Sequence, residues 1–406
     1  MADSLCEPVA GWRMPARWRA GARYPAERVR PYAGLDCDDN GCDDKGGAGT
    51  PPVLVDTNMN ATFTGIPRAL LAVLGPLVAL GLLLSVQGCS STASAGTTSV
   101  TGPTPARALA VFNSFVTAEQ VALANHDEVL ALSLLTGSQY GITSATYLAA
   151  TAAGRPVTGR VYGHPTLYVP KLTTYPQWFM ARVPERASPV APIRTALLVF
   201  DRPDAEATWA LSGSALLNPG APALKVAVDR AGYATALATS DQALKLRPDI
   251  VGAMHATVAD DGPSSPAATA VQAGPQTTGL YQANAAIARQ AATQKAAYTW
   301  ELEGTSFPFF ALRTTDGGAL VFYTMTLVTT TVTAQLPPAH GKAKLPVIPV
   351  PTALQNVVPA THRPFRHGLS VDSTLSYIAL DPASAAQTAP LRVIGAGGTV
   401  TYVHGT

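Results

Sequence analysis

The segment Ala319-Leu320-Val321-Phe322-Tyr323-Thr324-Met325-Thr326-Leu327-Val328-Thr329-Thr330-Thr331-Val332-Thr333-Ala334 decides the fold class. Val and Thr dominate it, and β-branched residues fit a pleated, half-buried surface better than a helix. It is the strongest strand signal in the chain. Tyr298–Glu303 and Phe307–Arg313 read as strands before it, and Leu369–Leu380, Leu391–Ile394 and Thr399–His404 as strands after it. Gly395-Ala396-Gly397-Gly398 lacks the third glycine of a dinucleotide fingerprint and reads as a turn between strands. Residues 337–359, punctuated by Pro and Lys, read as an extended excursion. Ahead of these strands, Gln276–Lys295 is rich in Ala and Gln, with Leu280, Ile287 and Ala291 on one helical face.

The same order stands upstream. Thr104-Pro105 reads as an N-cap followed by proline in the first helical turn. Leu109, Phe112, Val116 and Leu123 then recur at helical spacing. Asn125-His126-Asp127 breaks the pattern, and a shorter apolar run from Val129 to Leu135 stops at Gly137, a helix-ending glycine. Strands are expected at Val157–Val169, Trp178–Val183, Ile193–Asp201, Thr208–Leu217 and Leu224–Asp229, with a helix around Leu244–Val258. Helices followed by antiparallel strands, twice over, predict an α+β protein of two consecutive halves. Each half is a helix packed on a curved, mainly antiparallel sheet. The halves are 104–260 and 276–406, with 261–275 as a linker. Trp178-Phe179-Met180-Ala181-Arg182 is faintly echoed by Phe309-Phe310-Ala311-Leu312-Arg313.

A different signal lies near residue 89. Arg68 precedes an apolar stretch, Ala69 to Leu84, and Val86-Gln87-Gly88-Cys89 follows. The stretch is short for a bilayer span and is interrupted by Gly75, Pro76 and Gly81. The arrangement resembles a bacterial lipoprotein signal peptide ending in a lipobox. The resemblance implies cleavage between Gly88 and Cys89 and attachment of lipid to the Cys89 thiol. It predicts a protein held at the extracytoplasmic face of the cell membrane. Translation is expected to start at Met59, with 59–88 as the signal peptide, and residues 1–58 to be absent from the real protein or unstructured. The small polar residues after Cys89, through 103, read as a tether.

No cysteine follows Cys89, so the domain beyond it holds no disulfide and has no thiol chemistry. Hydrophobic residues make up 47% of the chain and charged residues only 13%, with a formal net charge of +2. That charge is too small to steer nucleic acid, which is excluded as a partner. The abundance of Ala, Thr, Val and Pro resembles that of proteins from high-GC actinomycetes.

Motif searches find no nucleophile elbow, no zinc-protease helix and no phosphate loop. Asp36-Cys37-Asp38-Asp39-Asn40-Gly41-Cys42-Asp43-Asp44 matches neither an EF-hand nor a zinc pair, and no metal or cofactor is expected. Asp127 offers a base beside His126 or, more simply, an N-cap for the next helix. Tyr175, Trp178 and Trp209 offer aromatic walls for a pocket, or core packing. Asp260-Asp261 reads as part of a solvated linker beside Gly262-Pro263, and His164 and His255 as lone histidines. His362-Arg363-Pro364-Phe365-Arg366-His367 is the densest cationic cluster, a solvated loop or a contact for anionic lipid or wall polymer.

The opening helices, Ala110–Tyr147, resemble those of NTF2-like or cystatin-like domains, in which a long helix lies across a curved sheet. More loosely, the exported part resembles uncharacterised actinomycete lipoproteins built from a tandem of such units. The expected function is a membrane-anchored binding or scaffolding module of the cell envelope, its partner another envelope protein or a wall polymer. The alternative is an NTF2-like small-molecule pocket, a carrier or an acid–base enzyme. A transporter's solute-binding lipoprotein calls for alternating strands and helices, which the strand clusters argue against.

Overall fold

Thr104 starts the first helix as its sequence demands. Its hydroxyl accepts a hydrogen bond from the N–H of Arg107 at 3.1 Å, and Pro105 opens α1 (Pro105–Ala124). The computed structural model describes residues 101–188, 190–333, 367–386 and 389–405, with 348, 350, 354 and 365 as single positions. The lipobox with Gly88 and Cys89, the Asp36–Asp44 loop and most of the 362–367 cluster lie outside the described residues. Asp127 caps α2 (Glu128–Ser133) by accepting from the N–H of Leu130 at 2.8 Å. Gly137 opens α3 (Gly137–Ala152) instead of closing α2. At a φ of +54° it sits against β-sheet backbone, where a Cβ would lie 2.8 Å from Ser212 Oγ.

Six strands follow: β1 (Val161–Tyr162), β2 (Thr166–Pro170), β3 (Gln177–Arg186), β4 (Arg194–Arg202), β5 (Ala210–Leu217) and β6 (Tyr233–Ala234). Helices α4 (Pro248–Asp261) and α5 (Thr278–Thr293) come next. The remaining strands are β7 (Ala296–Gly304), β8 (Phe310–Arg313), β9 (Ala319–Thr333), β10 (Gly368–Asp381) and β11 (Arg392–Gly405). Ala319–Thr333 thus forms one strand of 15 residues. No helix among the described residues is long and apolar enough to cross a membrane.

The protein is a mixed helix and sheet structure with one large curved sheet, ordered β6-β2-β3-β4-β5-β11-β10-β9-β7. Both expected halves enter it. Strands β2 to β5 form one antiparallel meander, and β7, β9, β10 and β11 a second. The two meet through their last strands, where Leu217 faces Gly395 and Leu216 faces Ala396. The glycines expected to form a turn here lie inside β11. A Cβ on Gly395 would stand 2.7 Å from Leu216 O, and one on Gly397 would stand 2.8 Å from Ser214 O. Their bare backbone lets two strands from distant parts of the chain approach. A turn could not do this.

The sheet is curved and open. Segment 226–237 spans the opening: Val226 and Ala236 bridge to Thr314 and Leu312 beside and in β8, while Tyr233 pairs with Val169 of β2. Inside the curl pack Trp178, Met180, Leu197, Val199, Phe310, Leu312, Leu320, Phe322 and Ile378. The two echoed sequence segments meet here, with the rings of Trp178 and Phe310 5.3 Å apart, edge to face. Ser138 at the start of α3 joins Thr324 and Ser376 in a buried hydroxyl cluster, with Thr324 donating to Ser138 at 3.1 Å.

Helix α1 covers the outer face of β2 to β4 with Ala108, Val111, Phe112 and Phe115. Leu109, expected on that stripe, is instead 41% exposed. Helices α4 and α5 cover β7, β9 and β10 through Val251, Val258, Ala291, Trp300, Tyr323 and Tyr377. His255 is fully buried beneath α4, with Tyr323 Oη 3.0 Å from its Nδ1 and Gln276 O 2.7 Å from its Nε2. Burial holds its pKa down at about 4, so the ring is neutral at pH 7.

The segment 261–275, read as a linker, packs tightly. Gly262, Ser265, Ala267 and Val271 are buried, and Val271 bridges to Leu391. Asp260 corrects the solvated reading of its pair: it lies inside α4 at 3% exposure, whereas Asp261 is exposed. The Asp260 carboxyl accepts the N–H of Leu302 at 3.2 Å, and burial, aided by nearby Glu301, Asp261 and Glu303, raises its pKa to about 8. Helix periodicity, carried past Val258, overrides the turn propensity of Gly262-Pro263.

Two outcomes are expected. Gly395→Val and Gly397→Val each cost about 1–3 kcal/mol by overpacking the strand junction, whereas Gly304→Ala, with nothing within 4 Å of its Cβ, stays within about 0.5 kcal/mol. Chemical denaturation of the three variants checks this. For Asp260, the folded pKa is raised above the unfolded one, so the fold holds the extra proton and loses stability as pH climbs from about 4 to about 8. Asp260→Asn keeps an acceptor for Leu302 and removes that loss. Thermal melts should show it more stable than wild type by on the order of 2–4 kcal/mol at pH 8 and little changed near pH 4.

Candidate functional site

A cleft lies outside the curl, where α1 leaves the 101–104 segment. Three features of sequence build it. Arg107, Val111, Phe115 and Ala118 recur on one face of α1, so a cation and an apolar strip line one wall. The turn between β4 and β5 makes the opposite wall with Arg202, Glu206, Ala207, Thr208 and Trp209. Tyr175 and Gln177 at the entry to β3 close one end, together with Thr101, Gly102, Pro103 and Thr104. The volume is about 770 Å³, in the usual range for small-molecule clefts.

Local hydrogen bonds hold these walls. Asp204 Oδ1 accepts the N–H groups of Glu206 and Ala207, each at 2.8 Å, which shapes the turn. Arg202 folds back over that turn, donating Nε–H to Ala207 O at 2.8 Å and Nη2–H to Ala205 O. Its guanidinium stands over the Tyr175 ring, 5.6 Å from the centroid. Gln177 is 2% exposed and donates from Nε2 to Thr174 O at 2.9 Å. Gly102 fits tightly beside it: a Cβ there would lie 2.9 Å from Leu172 O and 3.1 Å from Gln177 Oε1. The Trp209 ring rests 5.3 Å from Phe179, which stacks on Phe200, so the aromatic floor is anchored in the core.

Of the residues singled out in the sequence, Tyr175 and Trp209 come together in this cleft. Trp178 does not: it lies on the opposite face of β3, inside the curl with Phe310. Strand alternation sends Trp178 to the face opposite Phe179, which packs against Trp209 on the outer side. Asp127 does not line the cleft and caps α2. Sequence reasoning missed Arg107, Gln177, Arg202 and Glu206. A signal for Arg107 existed in its spacing from Val111 and Phe115, but none marked Gln177.

The cleft's described lining contains neither His nor Cys, and Glu206 is its one acid. Two cations, one acid, several hydroxyls and an aromatic floor can hold an amphipathic group. A second set of titratable groups sits between α1 and the β3 edge. Burial raises the pKa of Glu119 to about 7 against the lowering pull of Arg160, and Arg160 lies 3.5 Å from Glu185. Burial also lifts Asp201 to about 6, offset by a hydrogen bond from Ser212. No three His, Cys, Asp or Glu side chains among the described residues converge as a metal site.

Comparison with known proteins gives a family and no activity. The chain is similar to an uncharacterised lipoprotein of Streptomyces coelicolor, 27% identical over 304 residues, which cover 72% of this chain and 84% of that protein. It is also similar to an uncharacterised lipoprotein of Streptomyces avermitilis, 29% identical over 221 residues, 53% of this chain and 63% of that protein. These relatives fit an actinomycete lipoprotein. No solved structure matches. Residues 101–405, which hold the whole curled sheet, its helices and the cleft, match a domain of unknown function, DUF8094, and the chain belongs to that family.

Proposed function

We propose that this chain is an exported lipoprotein, cleaved between Gly88 and Cys89 and lipidated on Cys89, whose folded part is a binding module at the extracytoplasmic face of the membrane. The relatives' description as lipoproteins supports the anchor. The observation that carries the binding role is the cleft of about 770 Å³ between α1 and the β4–β5 turn, with Arg107, Arg202, Tyr175 and Trp209 in its lining. Each meander is preceded by helices, which supports reading the domain as two α+β halves of NTF2-like or cystatin-like design joined edge to edge.

The alternative, a carrier or acid–base enzyme working inside an NTF2-like cone, has a specific obstacle. The inner face of the curl is filled by Trp178, Met180, Leu197, Phe310, Leu312 and Phe322. A ligand there would need the space those side chains occupy. The binding reading therefore rests on the outer cleft.

Two measurements test the proposal. Metabolic labelling with an alkyne fatty acid should tag the wild-type protein and leave Cys89→Ala untagged; a tag that survives Cys89→Ala sinks the anchor. A photo-crosslinking residue at Ser114, an exposed position in the cleft lining, should capture one discrete adduct in intact cells, and the same residue at Gly220, in an exposed turn away from the cleft, should not. Equal or absent capture at both positions would end the binding role.

A further inference from the structure

The cleft's place at the root of the tether says what should fill it. This inference rests on the anchor proposed above. Thr101 and Thr104 belong to the cleft wall, and Thr101 follows Cys89 by twelve residues. A chain of that length spans at most about 40 Å even when fully extended. A lipid on Cys89 therefore keeps the cleft within that distance of the membrane surface, in reach of the bilayer's headgroups.

The lining matches an amphiphile with a negative head. Val111, Phe115, Leu134 and Trp209 provide an apolar floor, and Arg107 and Arg202 outnumber the single acid, Glu206. Arg202 is already tied to the carbonyls of Ala205 and Ala207 and to the Tyr175 ring. It sets the field and holds the wall, while Arg107, on an exposed turn of α1, is the side chain positioned to engage an incoming anion. The hydroxyls of Thr101, Thr104, Ser114 and Thr208 add neutral hydrogen-bonding groups around it. A neutral wall polymer would leave the cations unused, and a basic peptide would meet them with repulsion.

We infer that the cleft between α1 and the β4–β5 turn binds the anionic headgroup and the first acyl carbons of a membrane phospholipid, seating the domain on the bilayer that anchors it. Arg107 takes the phosphate. Trp209 and Phe115 take the hydrocarbon, an interfacial setting suited to an indole ring. Binding here is reversible and separate from the covalent anchor.

Fluorescence quenching by brominated lipids tests this with the full lipoprotein mixed with vesicles. Vesicles of phosphatidylcholine doped with brominated phosphatidylglycerol should quench a tryptophan component that disappears in Trp209→Phe. Brominated phosphatidylcholine at the same dose should quench it far less, and Arg107→Glu should weaken the anionic-lipid dependence roughly tenfold. Equal quenching by both lipids would reduce the effect to proximity and overturn the proposal. So would quenching unaltered by Trp209→Phe, or none at all. The assay reads lipid contact whether or not Cys89 is acylated. Positive fatty-acid labelling with no Trp209 quenching thus defeats the lipid occupant alone, and failed labelling defeats the anchor. A protein or polymer adduct at Ser114 would keep the binding cleft and overturn the lipid occupant.

Discussion

The junction of β5 with β11 is the constraint on which the rest of the molecule depends. Two antiparallel meanders, one ending at Leu217 and the other starting at Ala296, become one sheet only because Leu216 and Leu217 face Ala396 and Gly395. Side chains at Gly395 or Gly397 would strike the backbone of β5 before its hydrogen bonds could form. Missing Cβ atoms thus create a long-range contact, at the entropic cost that glycine carries in a strand. With the junction made, Leu216 packs with the α1 side and its partner Ala396 with the α4 and α5 side, so both helical layers cover the same face.

That shared face dictates what the opposite face does. The sheet curls around it, segment 226–237 spans the gap, and large side chains from both meanders fill the interior. Packed side chains occupy that inner face, and a cleft opens on the outside, where α1 and the β4–β5 turn diverge. The cleft is a consequence of packing elsewhere: Phe179 and Phe200 hold the floor, and hydrogen bonds local to residues 202–207 hold the wall.

How much was legible follows from the range of each interaction. Thr104-Pro105, the Asp127 cap and the 319–333 strand all follow from neighbours within one turn or one strand, and these appear in the structure as read. The misreadings share a cause. Gly137 and Gly395–Gly398 carry the local chemistry of turns, yet each glycine is used for a close approach of distant backbone. Asp260 beside Gly262-Pro263 has the composition of a loop, yet α4 carries it under the sheet edge to Leu302. The site was half legible: Tyr175 and Trp209 stood out as aromatics, but nothing local separates them from Trp178, which the pleat sends to the other face.

The sequence by itself determined most of the helices and strands and their order along the chain. Those depend on side-chain type and spacing along one stretch of chain. Tertiary structure alone decided that the two meanders share one sheet, that large side chains from both pack on its inner face, and that Arg107, Arg202, Tyr175 and Trp209 gather at one cleft. Each of these depends on which distant backbone comes near, and periodicity within a segment carries no information about that.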